Sequence, residues 1–199
     1  MSKFRLFVLV TAFLSSVSVI AEERDPDALF VIEGGYHNGG DTIRTIPSVN
    51  GESETIKAGS GFSLGFGVRF DVQEDIEAVV TYGSKIDGVR GRLVSTGEEV
   101  EFTFSRSPLN GLVMFKKEDW HFGAGLTYHM NVEYEANLAS LGSSTEKFKN
   151  ALGVIADFRY FFSEGGYVGG RYTNIEYESE STGKTYDGSS VGVIVGVYL

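Results

Sequence analysis

"GFSLGFGVRF", residues 61–70, places Phe62, Leu64, Phe66, Val68 and Phe70 on one side of an extended strand. Ser63, Gly65, Gly67 and Arg69 fall on the other, because successive side chains of a strand point to opposite faces. A soluble β-protein turns the aromatic face inward to a core, whereas a lipid-embedded barrel turns it outward and encloses the Gly/Ser/Arg face. Which face is inside decides the class of the protein.

The same alternation recurs along the chain. Near residues 28–37, Phe30, Ile32 and Tyr36 oppose Glu33 and His37, and further on Ile76, Ala78, Val80 and Tyr82 oppose Glu77, Thr81 and Lys85. The fifth predicted strand, residues 120–138, has the longest pattern: Trp120, Phe122, Ala124, Leu126 and their successors to Leu138 share one parity, with His121, His129, Glu133 and Glu135 on the other. Leu152, Val154, Ala156, Phe158 and Tyr160 then oppose Gly153, Asp157 and Arg159; Val168, Gly170 and Tyr172 oppose Arg171 and Thr173; and Val191 to Leu199 closes the chain. In the fourth strand Val100, Phe102 and Phe104 are even-numbered but Leu109, Val113 and Phe115 are odd, which predicts a β-bulge between Ser105 and Pro108.

The connections alternate in length. "DVQED" (71–75), "KKED" (116–119) and "FSEGG" (162–166) are short, while residues 38–60, 87–99, 139–150 and 174–189 form long links. Eight strands with this rhythm predict an all-β, eight-stranded antiparallel up-and-down transmembrane β-barrel with both termini at the short-turn, periplasmic end.

The N-terminus fits an exported protein. Lys3 and Arg5 precede an apolar run, and small residues lead to Ala21, the pattern of a signal peptide over residues 1–21 with the barrel over 22–199. Two of the 17 basic residues and none of the 27 acids lie in that segment, so its removal takes the net charge from −10 to −12. Such a charge argues against a nucleic-acid partner. The absence of cysteine excludes a disulfide scaffold and Cys-ligated metals.

Size settles which face is inside. An eight-stranded barrel encloses just enough space for side chains, and ranks of Phe, Leu, Tyr and Trp would overfill it. The Gly-rich parity fits. An arginine on the lipid face near the midplane would cost about 2–4 kcal/mol, and the central apolar face carries none. Phe70, Phe115, Trp120 and Tyr160 near the short turns and Tyr36, Phe62, Tyr82 and Tyr128 near the long links make two aromatic girdles. The interior then holds Glu33, Glu77 and Asp157 with Arg69, Arg159 and Arg171, and these are expected to pair because an unpaired buried charge is costly.

Over Ala28 to Leu199 the sequence resembles the small eight-stranded outer-membrane barrels of Gram-negative bacteria, the OmpX, OmpW and OmpA-like group. The final "VGVIVGVYL" looks like the C-terminal signal read by the barrel-assembly machinery, with Val195, Val197 and Leu199 as its matching positions. That signal usually ends in Phe or Trp, and here it ends in Leu199. The resemblance implies an outer-membrane location, lipid and lipopolysaccharide as neighbours, and a monomer. Residues 120–138 exceed the roughly 9–11 that a tilted strand needs to span a bilayer, so Met130 to Leu138 and Val100 to Phe104 project. They form either hairpins like the protruding sheet of the OmpX type, able to pair with an extracellular protein, or simply long loops.

No catalytic, metal or cofactor site is expected. Of His37, His121 and His129, the first and third could reach the extracellular rim, and none stands in the H-x-S pattern of lipid A deacylase barrels. "GSGFSLG" (59–65) opens a strand rather than a helix and fails as a nucleotide loop. The acidic links, with Asp41, Glu52, Glu98, Glu146, Glu180 and Asp187 among them, read as solvated charge. The expected function is structural or surface-interacting (adhesion, envelope integrity) with a filled interior. A narrow channel for small hydrophobic or ionic solutes is the alternative, and a lipid A-modifying enzyme is the third.

Overall fold

The computed structural model describes residues 28–47, 53–92, 99–138, 142–162 and 165–199, so the expected signal peptide lies outside the described residues. Among the described residues thirteen strands follow one another: β1 Leu29–Asn38, β2 Thr42–Pro47, β3 Ser53–Lys57, β4 Gly61–Gln73, β5 Ile76–Arg92, β6 Glu99–Lys117 and β7 Trp120–Leu138. Then come β8 Gly142–Lys147, β9 Ala151–Phe161, β10 Gly166–Asn174, β11 Glu176–Glu178, β12 Thr185–Asp187 and β13 Ser190–Tyr198. Eight of them, β1, β4, β5, β6, β7, β9, β10 and β13, pair with sequential antiparallel neighbours, and β13 returns to β1. The ring closes into a barrel with no free edge in its wall, the arrangement a strand protein needs where no water can satisfy backbone groups.

The wall is inverted relative to a soluble protein. Phe62 (71% exposed), Leu64, Phe66, Val191 and Val193 form part of an apolar outer belt, and the alternate residues Glu33, Asp157 and Arg171 are buried inside. Aromatic pairs ring the belt: Trp120 lies 4.5 Å from Tyr160 near the short turns, and Tyr36 lies 4.9 Å from Phe62 near the long links. Glycine keeps the interior from overfilling. A Cβ at Gly196 would lie 2.4 Å from the Tyr167 ring, and one at Gly192 would lie 2.3 Å from the His37 ring. The barrel is therefore a transmembrane β-barrel.

Above the belt the solvent preference reverses. Val100, Phe102, Phe104, Val132 and Phe148 are buried together with Ile46, Ile56 and Tyr177 in a second core. Phe104 meets Phe148 and Tyr177 edge-on at 5.5 and 5.6 Å. The upper parts of β5, β6 and β7 continue with β8 as a four-stranded sheet, and the β2–β3 and β11–β12 hairpins supply the rest of this core. The described parts of the long links are thus β-structured, and the projecting segments are hairpins.

This reversal corrects two expectations. The fourth barrel strand, β6, has no parity slip: Val100, Phe102, Phe104, Arg106, Asn110, Leu112 and Met114 are all buried on one face. What changes is the outer face, apolar at Val113 and Phe115 in the belt and polar at Glu101, Thr103 and Ser105 above it, while the strand stays regular. The bulge lies instead on β7, where Ser105 stands opposite Glu133 but Ser107 opposite Met130. Two residues there face one, and Asn131 takes φ 50°, a left-handed conformation that asparagine adopts more readily than most residues. The bulge turns Val132 inward, to 1% exposure, although it shares the parity of lipid-facing Leu126 (45%). The uniform pattern over residues 120–138 therefore serves two faces.

Phe66→Arg, in the middle of the β4 outer face, is expected to lower stability by about 2–4 kcal/mol in urea unfolding from lipid vesicles.

Candidate functional site

The barrel interior collects the polar side chains that the alternation sends inward, and it is layered. In the middle layer the Arg171 guanidinium bridges two acids: Nη1 donates to Glu33 Oε1 at 2.7 Å, and Nε and Nη2 donate to Asp157 at 2.7 and 2.8 Å. Arg159 Nη2 donates to Asp157 at 2.8 Å and, at 3.5 Å, to Glu33. The β9–β10 register sets Asp157 directly opposite Arg171, while Glu33 comes from β1 across the lumen. Tyr167 donates to Glu33 at 3.0 Å, and Arg159 lies over the Tyr167 ring.

The lower layer is built around Glu77. Arg69 donates to it at 3.1 Å, His121 Nδ1 lies 3.0 Å from it, and the Tyr198 hydroxyl donates to it at 3.0 Å. Arg69 also holds Asp71 at 3.0 Å, and Lys116 reaches Asp71 at 2.7 Å. The Arg69 of the opening stretch is therefore locked to Glu77, not to Glu33 or Asp157. Arg159 joins the two layers by donating to Tyr198 at 2.8 Å. Phe161, Tyr167 and Tyr198 pack at 5.3–5.4 Å and close the short-turn end.

The six charged residues singled out in the sequence thus occupy one connected interior. Its linkers, Tyr167, Tyr198 and His121, carry inward parity, but only the pairing register identifies their partners. The upper layer was missed as a site. Lys85 Nζ donates to the carbonyl of Gly59 at 2.7 Å and to Ser190 Oγ at 3.3 Å, and Arg106 donates to the carbonyl of Ser60. Both are buried.

No family model matches the sequence, and no curated protein matches it. Among solved structures, two of Ail, the attachment invasion locus protein of Yersinia pestis, align with TM-scores of 0.52 and 0.50. Their identities are 8% and 11%, and each alignment covers 88% of this chain and 99% of Ail. The first of the two is a complex with the heparin analogue sucrose octasulfate. Neisserial surface protein A aligns at a TM-score of 0.49 with 12% identity, over 85% of this chain and 96% of its own. The chain has the fold of the small eight-stranded outer-membrane β-barrels.

Within this outer-membrane-type barrel the histidines are placed differently from expectation. His37 and His129 do not reach a rim; both are buried inside, at 3% exposure. They follow the inward parity of β1 and β7, and the second core covers them. His129 Nδ1 lies 2.6 Å from the Tyr177 hydroxyl. His37 Nε2 lies 3.0 Å from Ser63 Oγ, a serine–histidine contact that spacing did not reveal. Among the described residues its Nδ1 has no hydrogen-bond partner, and the nearby cavity is about 30 Å³. Among the described residues no three His, Asp or Glu side chains converge as a metal site.

Arg171→Met would leave Glu33 and Asp157 without their shared partner, and a cost of about 3–5 kcal/mol is expected. Adding Glu33→Gln to it should cost less than the sum of the single changes in denaturant titrations, because both act on one network.

Proposed function

We propose that this barrel is a sealed outer-membrane anchor that presents its projecting sheet to an extracellular protein partner. The observation that carries this reading is the second core: Phe104, Phe148 and Tyr177 are packed across the mouth, above an interior already filled by ion pairs. No wide axial path remains among the described residues, while the outer sheet stays accessible. β8 is paired on one side with β7; at its end Lys147 accepts from the Glu180 N–H, and Gly142 to Thr145 are left exposed. An unpaired edge is a template for an added strand.

Both ends of the barrel chain lie at the short-turn side, where Leu29 stands opposite Arg69 and Phe30 exchanges hydrogen bonds with Leu199. We read this side as periplasmic, β13 with Val195, Val197 and Leu199 as the strand presented to the assembly machinery, and the protein as a monomer among lipid and lipopolysaccharide. The outer hairpins carry Asp41, Glu54, Glu135, Glu176, Glu180 and Asp187, all exposed, and so favour a partner with a basic face over a sulfated polyanion such as the one bound to Ail. A structural role in the envelope needs no partner, and the binding test below separates the two.

One observation favours a second reading, a lateral path for small hydrophobic solutes. β9 and β10 stop pairing at Val154 and Asn174, and a cleft of about 550 Å³ opens on the wall there, lined by Leu126, Leu152 and Val154 on one side and by Lys149, Glu176 and Glu178 on the other. A lipid-modifying enzyme has no comparable support.

In planar bilayers the refolded chain is expected to give no steady openings, and sustained conductance would overturn the sealed reading. Proline at adjacent positions Ser143 and Ser144 tests the edge, since their N–H groups point to opposite sides of the strand. The outward-facing one should abolish attachment of expressing bacteria to immobilised extracellular-matrix proteins while leaving heat-modifiable gel migration intact. Attachment equal to that of cells lacking the protein, for the unaltered chain, would leave the structural role.

A further inference from the structure

The interior is not electrically balanced from layer to layer. In the lower layer Arg69 and Lys116 face Glu77 and Asp71, and in the middle layer Arg159 and Arg171 face Glu33 and Asp157. The upper layer holds Lys85 (4% exposed) and Arg106 (1%), and no carboxylate lies within ion-pair distance of either among the described residues. Moreover, Lys85 and Arg106 stand directly opposite each other in the β5–β6 register, an arrangement that is destabilising for like charges even on an exposed sheet. The half-buried Asp87 uses one carboxylate oxygen to accept from the Lys57 N–H at 3.1 Å.

Beside Lys85 lies a cavity of about 30 Å³, lined by Asn110, Thr173 and Arg171 and by apolar Leu64, Pro108 and Ile155, with room for roughly two water-sized spheres. Donors converge on it. Lys85 has three N–H groups and spends two, on Gly59 and Ser190. Arg171 spends four of five on Glu33 and Asp157. Glu33 also lines the space, but both its oxygens accept from Arg171, and Tyr167 adds a bond to one.

We propose that this cavity binds one small monovalent anion of halide size, with Lys85 as its principal ligand and the Thr173 hydroxyl and the remaining N–H groups of Asn110 and Arg171 completing the shell, the Thr127 hydroxyl being spent on Asn110 and Ser63 paired with His37. The half-buried Asp87 acts on both cations, and the anion supplies the further negative charge that two cations and one carboxylate leave wanting and screens Lys85 from Arg106. The second core lies above it and the ion pairs below.

The chain refolded and crystallised in bromide tests this. One anomalous peak is expected in the cavity at hydrogen-bonding distance from Lys85 Nζ, and it should be absent from Lys85→Met. Water alone in the bromide crystals, or a peak that survives in Lys85→Met, would overturn the proposal. In solution, chloride at about ten times its Kd should raise the folded-to-unfolded ratio about tenfold over gluconate at equal ionic strength. That gain should vanish in Lys85→Met and Lys85→Gln; equal chloride effects in variant and unaltered chain would overturn it. Should neither variant fold, the bromide map of the unaltered chain decides alone.

Discussion

The antiparallel pairing of β1 with β13 is the interaction on which the rest depends. Val31 to Asn38 stand opposite Tyr198 to Val191, and Phe30 and Leu199 exchange backbone bonds just beyond. Without that seam two strands would expose a row of unpaired N–H and C=O groups to lipid, at several kcal/mol for each unsatisfied group. Closure fixes the circumference at eight strands, and the circumference fixes the lumen. The lumen is then so narrow that Tyr167 and His37 occupy the space a side chain at Gly196 or Gly192 would take. Ion pairs can be dense in such a space because each charged group has several partners within reach.

A second rule follows from the medium. Within the belt the outer face is apolar and the interior takes the charged side chains together with Val31, Val79, Leu112, Met114, Ile155 and Ile194; above it, Phe102, Phe104 and Val132 face in and the hairpins carry charge outward. The chain makes the change in two ways. In β6 the outer face turns from apolar to polar with no alteration of backbone, and in β7 the backbone changes parity at Asn131 with no alteration of the residue pattern. Both bring apolar side chains to the same core. They explain why the upper hairpins are ordered β-structure: they have an interior of their own.

Much of this was legible in the residues. Alternation in the eight barrel strands, the short turns at 71–75, 116–119 and 162–166, and the inward set Glu33, Arg69, Glu77, Asp157, Arg159 and Arg171 all follow from period-two reading. The partners did not follow, because register is set by pairing between distant strands: nothing local to Arg69 says that its partner is Glu77 rather than Asp157. The parity of Val132 was misread for a related reason. A one-residue bulge flips every later side chain, and Asn131 carries no strong local signal. Lys85 had inward parity, but its meaning appears only when β6 places Arg106 across from it.

The Asn131 bulge also sets a depth. Below it the outer face of β7 carries Phe122 and Leu126, which are at rest only in hydrocarbon; above it Asn131 and Glu135 are exposed and are at rest only in water. The bulge is therefore a waterline written into the backbone, and it holds the barrel at one height in the bilayer. Moving it one turn of the pleat along β7 would raise or sink the whole protein, and with it the reach of the projecting sheet beyond the lipid headgroups.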